Sequence, residues 1–178
     1  MTRPPYQPPT AAELQVVSDQ LGRTARGVVG IAARCVCGNP TVVATAPRLA
    51  DGTPFPTFYY LTHPAATAAM STLEAEQVMP ELALRIEEDP EIAAAYLAAH
   101  RAFLADRAQY GEVPEIDGIS SGGMPTRVKC LHALAGHALA AGPGVNPIGD
   151  AALERAGWSP DRCACADPGA ALRTSEAG

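Results

Sequence analysis

Apolar positions along the chain change their period twice, and those changes divide it into a short helix, a β-rich stretch and a longer helical region. Leu14, Val17 and Leu21 recur at helical spacing over 11–21. Thr10 followed by Glu13 supplies a capping box, and Gly22 a stop. Three runs rich in branched and aromatic residues follow, at 27–35, 41–45 and 57–62, and read as strands. Cys37-Gly38-Asn39-Pro40 marks a hairpin turn between the first two, and 50–56 a loop before the third. From Pro64 the spacing turns helical, over 66–77 and 81–88, meeting near Met79-Pro80. Asp89-Pro90-Glu91 opens a longer helix whose Ile92, Tyr96, Ala99 and Phe103 share one face, ending near Gly111. A loop over 111–123 precedes Pro125, placed to sit in the first turn of a helix reaching Ala141. Asn146-Pro147 or Asp150 then opens a last helix to Arg155. The expected fold is α+β: a small antiparallel sheet of about three strands packed with five or six helices, one domain over 11–158. Residues 1–10 read as a disordered proline-rich arm, and 159–178 as a flexible tail.

Composition narrows the class. A chain of 178 residues is long enough to bury about 70% of its unfolded surface around one core. Glycine (16) and proline (17) make up roughly 19% of it, above the typical figure near 12%, consistent with punctuated turns and loose ends. A net charge of −6 argues against nucleic acid as a partner, because such binders carry basic patches. No run reaches the 18 or so apolar residues of a membrane span, and the start lacks the apolar segment of a secretory signal. The expected location is therefore the cytoplasm, where thiols stay reduced. The five cysteines agree, being odd in number and partly arranged as Cys-x-Cys pairs unsuited to an internal disulfide.

Several segments carry a family likeness: Arg34-Cys35 with Gly38 and Pro40, then Asp51-Gly52-Thr53-Pro54-Phe55-Pro56-Thr57 leading into Tyr60-Leu61-Thr62. Leu73-Glu74, Gly122-Gly123, Val128-Lys129-Cys130-Leu131-His132, Ala135, His137, Asn146-Pro147 and Gly149 continue it. Over about 28–150 the chain resembles the DUF501 family of bacterial proteins of unknown function. The resemblance implies no chemistry. Through the enolase and septum-formation genes beside which such proteins tend to be encoded, it suggests an adaptor for cell-division or envelope machinery.

Three groups of residues carry candidate chemistry. Cys35, Cys130, His132 and His137, with Cys37 or His63 in reserve, have the thiolate and imidazole groups that hold zinc, and thiolates also hold an iron–sulfur cluster. Helix geometry restricts the set. Cys130 and His137 lie seven residues, about 10.5 Å, apart along a helix, and His132 meets Cys130 only if Cys130 occupies a pre-helical turn. The competing reading makes Cys35 and Cys130 buried small hydrophobes. Ser121, Gly122 and Gly123, running into the Pro125 helix with Arg127 and Lys129, form the second group, an anion site at a helix N-terminus or else a plain capped loop. In the third, Cys130 is a nucleophile with His132 or His137 as base and the 121–123 amides as oxyanion donors; the sequence identifies no acid partner for the histidine, Asp51 and Asp117 being candidates only by lying in loops.

Elsewhere the bland reading leads: Phe55 plugs the core, His63 caps a helix or sits on the surface, His100 is solvated, and Cys163 and Cys165 are incidental tail thiols unless the tail folds back to close a metal site. The leading functional reading is an uncharacterised cytoplasmic domain with a Cys/His metal or thiol site. The alternatives are an enzyme using Cys130, His132 and His137 on a small anionic or phosphorylated substrate, and the adaptor.

Overall fold

A computed structural model describes residues 3–173. The ends of the expected arm and tail, residues 1–2 and 174–178, lie outside the described residues. α1 (Ala11–Leu21) starts at the capping box: the Glu13 N–H donates to the Thr10 hydroxyl at 3.2 Å and the Thr10 N–H to the Glu13 carboxylate at 2.6 Å. β1 (Val28–Arg34), β2 (Pro40–Thr45) and β3 (Tyr59–Leu61) form an antiparallel sheet in the order β1-β2-β3. Val43 pairs with Ile31 on one side and Tyr60 on the other. β2 is the middle strand and all of its residues are buried, Thr41 and Thr45 included, so its burial does not alternate. The β1–β2 turn closes through Cys35 N–H to the Asn39 carbonyl (2.9 Å) and Gly38 N–H to the Cys35 carbonyl (2.8 Å). Gly38 has φ of 88°, and a Cβ there would strike Leu172, so this turn requires glycine.

α2 (Pro64–Ala75) and α3 (Val78–Glu88) join at Gln77, the non-glycine residue with positive φ, rather than near Met79-Pro80. α4 (Pro90–Ala108) is capped by Asp89, whose carboxylate accepts the N–H groups of Glu91 and Ile92. Its Tyr96, Ala99 and Phe103 face the core, as their spacing predicts. α5 (Leu131–Ala141) runs through the middle of the molecule, packed on β3 and on α6 (Pro147–Ala156). At Gly149 of α6 a Cβ would overlap the Leu134 carbonyl of α5, so the two helices cross at backbone distance. Single 3-10 turns occupy Pro114–Ile116 and Ala170–Leu172. The described residues thus contain six α-helices on a three-stranded antiparallel sheet, the α+β class expected. None of these helices is long and apolar enough to cross a membrane.

Several local expectations need correcting. α5 begins at Leu131, not at Pro125, because 122–129 is a turn closed on itself by Arg127 N–H to the Gly123 carbonyl (2.9 Å) and Lys129 N–H to the Gly122 carbonyl (2.8 Å). The described part of the arm makes polar contacts with the body: Arg3 forks onto the buried Asp106 at 2.9 and 3.1 Å, and the Tyr6 N–H donates to the Tyr110 hydroxyl at 2.6 Å. Residues 159–173 also lie on the body. The Asn39 amide donates to the Asp167 carbonyl (2.7 Å) and accepts the Ala171 N–H (3.0 Å), and Val36 N–H donates to the Pro160 carbonyl (2.9 Å). Phe55 is only half-buried, stacked against Tyr60 at 6.5 Å, and the core position falls to Phe58. His100 is not simply solvated, since its Nδ1 lies 2.8 Å from the Ser120 hydroxyl.

Candidate metal centre

The β1–β2 turn and the segment after α6 each bring two cysteines to one place. The sulfurs of Cys35, Cys37, Cys163 and Cys165 all lie within 4.8 Å of one another. Cys37 and Cys165 approach to 3.6 Å. A tetrahedral ion with bonds of 2.3 Å to sulfur separates its ligands by about 3.8 Å. The four thiols therefore converge at the spacing of a single tetrahedral ion. Cys35 is buried and Cys163 exposed, so the group sits at the surface with one side closed.

Local backbone and one histidine shape its electrostatics. Burial works against ionising Cys37, but the N–H groups of Asn39 and Gly169 and the thiols of Cys163 and Cys165 outweigh it and pull its pKa down to about 6. Burial raises Cys35, and burial with the neighbouring thiols raises Cys165. One thiolate is thus favoured and the next resisted, as expected where like charges crowd without a cation between them. His63, at the N-cap of α2, accepts the Ala66 N–H on Nδ1 at 3.5 Å. Its Nε2 then carries the proton and donates it toward Cys165 Sγ at 3.3 Å. The residue is 1% exposed, which fits the capping expectation and not a surface one.

A second group stands beside a cleft of about 630 Å³ between α2, α5 and β3, with Cys130 and His132 in its lining. Thr67, Ser71 and Glu74 fall on one face of α2. Cys130 is the N-cap of α5 in extended conformation, and this pre-helical placement lets it face His132 two residues on. Glu74, Cys130 and His132 each offer a ligand atom within 4.8 Å of the others. His132 Nδ1 stands 3.2 Å from Glu74 Oε1 and 4.0 Å from Cys130 Sγ. His132 Nε2–H donates to the Thr67 carbonyl at 3.1 Å, with the Ser71 hydroxyl 3.2 Å away. The contact with Cys130 raises the His132 pKa to about 9, assisted by Glu74 and opposed by burial. The same contact lowers the Cys130 pKa.

The residues expected to form one metal site are divided among three places. Cys35 joins the four thiols, Cys130 and His132 join Glu74, and His137 belongs to neither group. His137 is fully buried against Tyr59, with ring centroids 5.5 Å apart. Asn146 donates to its Nδ1 at 3.2 Å, and burial pushes its pKa down to about 4. Of the expected anion group, Ser121 lines the cleft, while Arg127 and Lys129 are exposed outside it and Gly122–Gly123 face a turn rather than a helix N-terminus. Asp51 accepts the Thr53 N–H within its own turn. The acid beside the histidine is Glu74, not Asp51 or Asp117.

Sequence reasoning missed Glu74 as a site residue and set aside Cys163 and Cys165. For the cysteines a signal was present: Cys35-Val36-Cys37-Gly38-Asn39-Pro40 and Cys163-Ala164-Cys165-Ala166-Asp167-Pro168 share the pattern Cys-x-Cys-x-(Asn/Asp)-Pro. Glu74 offered no such spacing.

A family model described as protein of unknown function (DUF501) matches residues 31–154. That segment holds the whole of the Glu74, Cys130 and His132 group and two of the four clustered thiols, and stops before Cys163 and Cys165. No curated protein and no solved structure matches the chain.

Proposed function

The chain belongs to the DUF501 family, proteins of unknown function, and from that premise we propose that it is a zinc-stapled domain in which Cys35, Cys37, Cys163 and Cys165 hold one structural ion. The observation that carries this reading is the convergence of four sulfurs within 4.8 Å. Four protein ligands and no open position are the mark of a structural zinc centre. An iron–sulfur cluster, with two or more irons between its thiolates, needs wider spacing than these sulfurs have. The backbone N–H groups directed at Cys37 and the His63 proton directed at Cys165 supply the outer hydrogen bonds that thiolate ligands require.

The ion's work is to fix residues 159–173 across the β1–β2 turn. A chain that closes a loop from Cys37 to Cys165 gains most from a cross-link at that point. Gln20 and Pro64 line both the groove beside Cys165 and the cleft beside His132, so the staple also steadies a wall of that cleft. Elemental analysis of purified protein tests the reading. At least one zinc per chain, with one equivalent lost in Cys37→Ser and that equivalent retained in Cys130→Ser, is the expected result. Protein that is stable and carries no metal contradicts it.

A further inference from the structure

Cys130 and His132 line the cleft between α2 and α5, and Glu74 beside them completes three ligand types at metal-binding spacing. A zinc ion bonded to imidazole nitrogen, carboxylate oxygen and thiolate sulfur sets those atoms about 3.4 Å (N to O) and 3.6 Å (N to S) apart. His132 Nδ1 lies 3.2 Å from Glu74 Oε1 and 4.0 Å from Cys130 Sγ, each within about 0.4 Å of those tetrahedral edges. We infer that Glu74, Cys130 and His132 form a second metal site, a three-ligand zinc centre whose fourth position opens into the cleft and takes an oxygen-donor group of a small, largely uncharged polar ligand.

Groups around the triad are arranged as ligand supports. His132 Nε2–H is held by the Thr67 carbonyl at 3.1 Å, which fixes the ring and leaves Nδ1 for the ion. Leu131 N–H donates to Glu74 Oε1 at 2.7 Å, so the carboxylate is held as well. All three residues are half-buried, giving an ion both a protein wall and access from solvent. Three protein ligands with one position left open are the pattern of catalytic zinc, in contrast to the closed four-thiol group.

The lining names the class of ligand. Hydroxyl and amide side chains (Thr57, Tyr60, Thr62, Ser71, Ser121 and Gln20) surround a floor of Leu61, Ala68 and Ala133, with no lysine or arginine among them. A multiply charged phosphate would find no cation there besides the ion. A neutral molecule presenting one carbonyl or hydroxyl oxygen to the metal, and further hydroxyl or amide groups to the walls, suits both surfaces.

Titration of the metal-free, full-length protein with Co²⁺, using acetohydroxamate as the oxygen-donor probe, tests the site. Two equivalents should bind. One should show the intense charge-transfer absorption of four thiolates and ignore the probe, and the other should show weaker sulfur absorption and shift when the probe is added. His132→Ala and Cys130→Ser should remove the second equivalent and the probe response while keeping the first. Glu74→Gln should weaken the second equivalent at least tenfold. One equivalent that is lost in Cys37→Ser and kept in His132→Ala overturns the cleft site and leaves the four-thiol centre standing. One equivalent lost in His132→Ala and kept in Cys37→Ser upholds the cleft site and removes the other. A second equivalent indifferent to both His132→Ala and acetohydroxamate overturns the cleft site.

Discussion

Cys37 and Cys165 stand 3.6 Å apart at their sulfurs although 128 residues separate them in the chain. The contact joins the β1–β2 turn to the segment beyond α6, and with Cys35 and Cys163 it makes a single cluster. Cross-linking a loop of this length withdraws about 5 kcal/mol of freedom from the unfolded chain. Cys37→Ser should therefore lower the melting temperature by roughly 10–20 °C, since each kcal/mol shifts a domain of this size by about 2–4 °C. A chelator should lower wild type at least to the value of the variant, as read by calorimetry.

His63 serves two masters, the α2 N-terminus and Cys165. His63→Ala should cost about 1 kcal/mol through the lost cap and weaken zinc about tenfold through the lost sulfur contact. His63→Asn restores the cap alone. Competition with a chromophoric chelator should then show normal stability with weakened zinc, a combination that a purely capping role would not produce.

Asp106 is 2% exposed and accepts from Tyr59 at 2.8 Å and from Arg3. Arg3→Ala leaves that carboxylate without its cation, but the Arg3 side chain is half-exposed, which limits the loss to about 1–2 kcal/mol. Urea denaturation should show this loss. Asp106→Asn should then make Arg3→Ala nearly neutral, as a double-mutant cycle requires of a genuine pair.

His137 carries a pH dependence of known sign. Its folded pKa is held down to about 4 by burial, against 6.5 when exposed, with Asp106 raising it and Arg3 lowering it. The folded state thus disfavours the protonated ring, so stability falls as pH drops from 6.5 toward 4. Between pH 7.5 and pH 5 the loss should be about 2 kcal/mol. Denaturation curves should show a drop larger by that amount in wild type than in His137→Gln. A His137 ring resonance that titrates near pH 6.5 in the folded protein would contradict it.

Elements whose signals are local were legible in the sequence: the Thr10 capping box, the turn at Gly38, the Asp89 cap and the buried face of Tyr96, Ala99 and Phe103. The start of α5 was not. Pro125 carries a helix-starting signal, yet carbonyls of Gly122 and Gly123 capture the amides that a helix would need. The contacts made by the described parts of the arm and tail were illegible for a related reason. Their composition is that of loose chain, and their polar partners lie far away in sequence: Asp106 for Arg3, Tyr110 for Tyr6, Val36 for Pro160, and Asn39 for Asp167 and Ala171. Of the candidate sites, Cys130 with His132 was legible on the condition that Cys130 precede the helix. Glu74 reaches them only through the packing of α2 on α5, which no spacing along the chain encodes.

The most direct measurement is X-ray absorption at the zinc edge on the His132→Ala protein, in which the four thiols alone should hold the ion. The predicted first shell is four sulfurs at about 2.3 Å. A shell containing nitrogen or oxygen, or a protein that retains no zinc, would contradict the four-thiol centre.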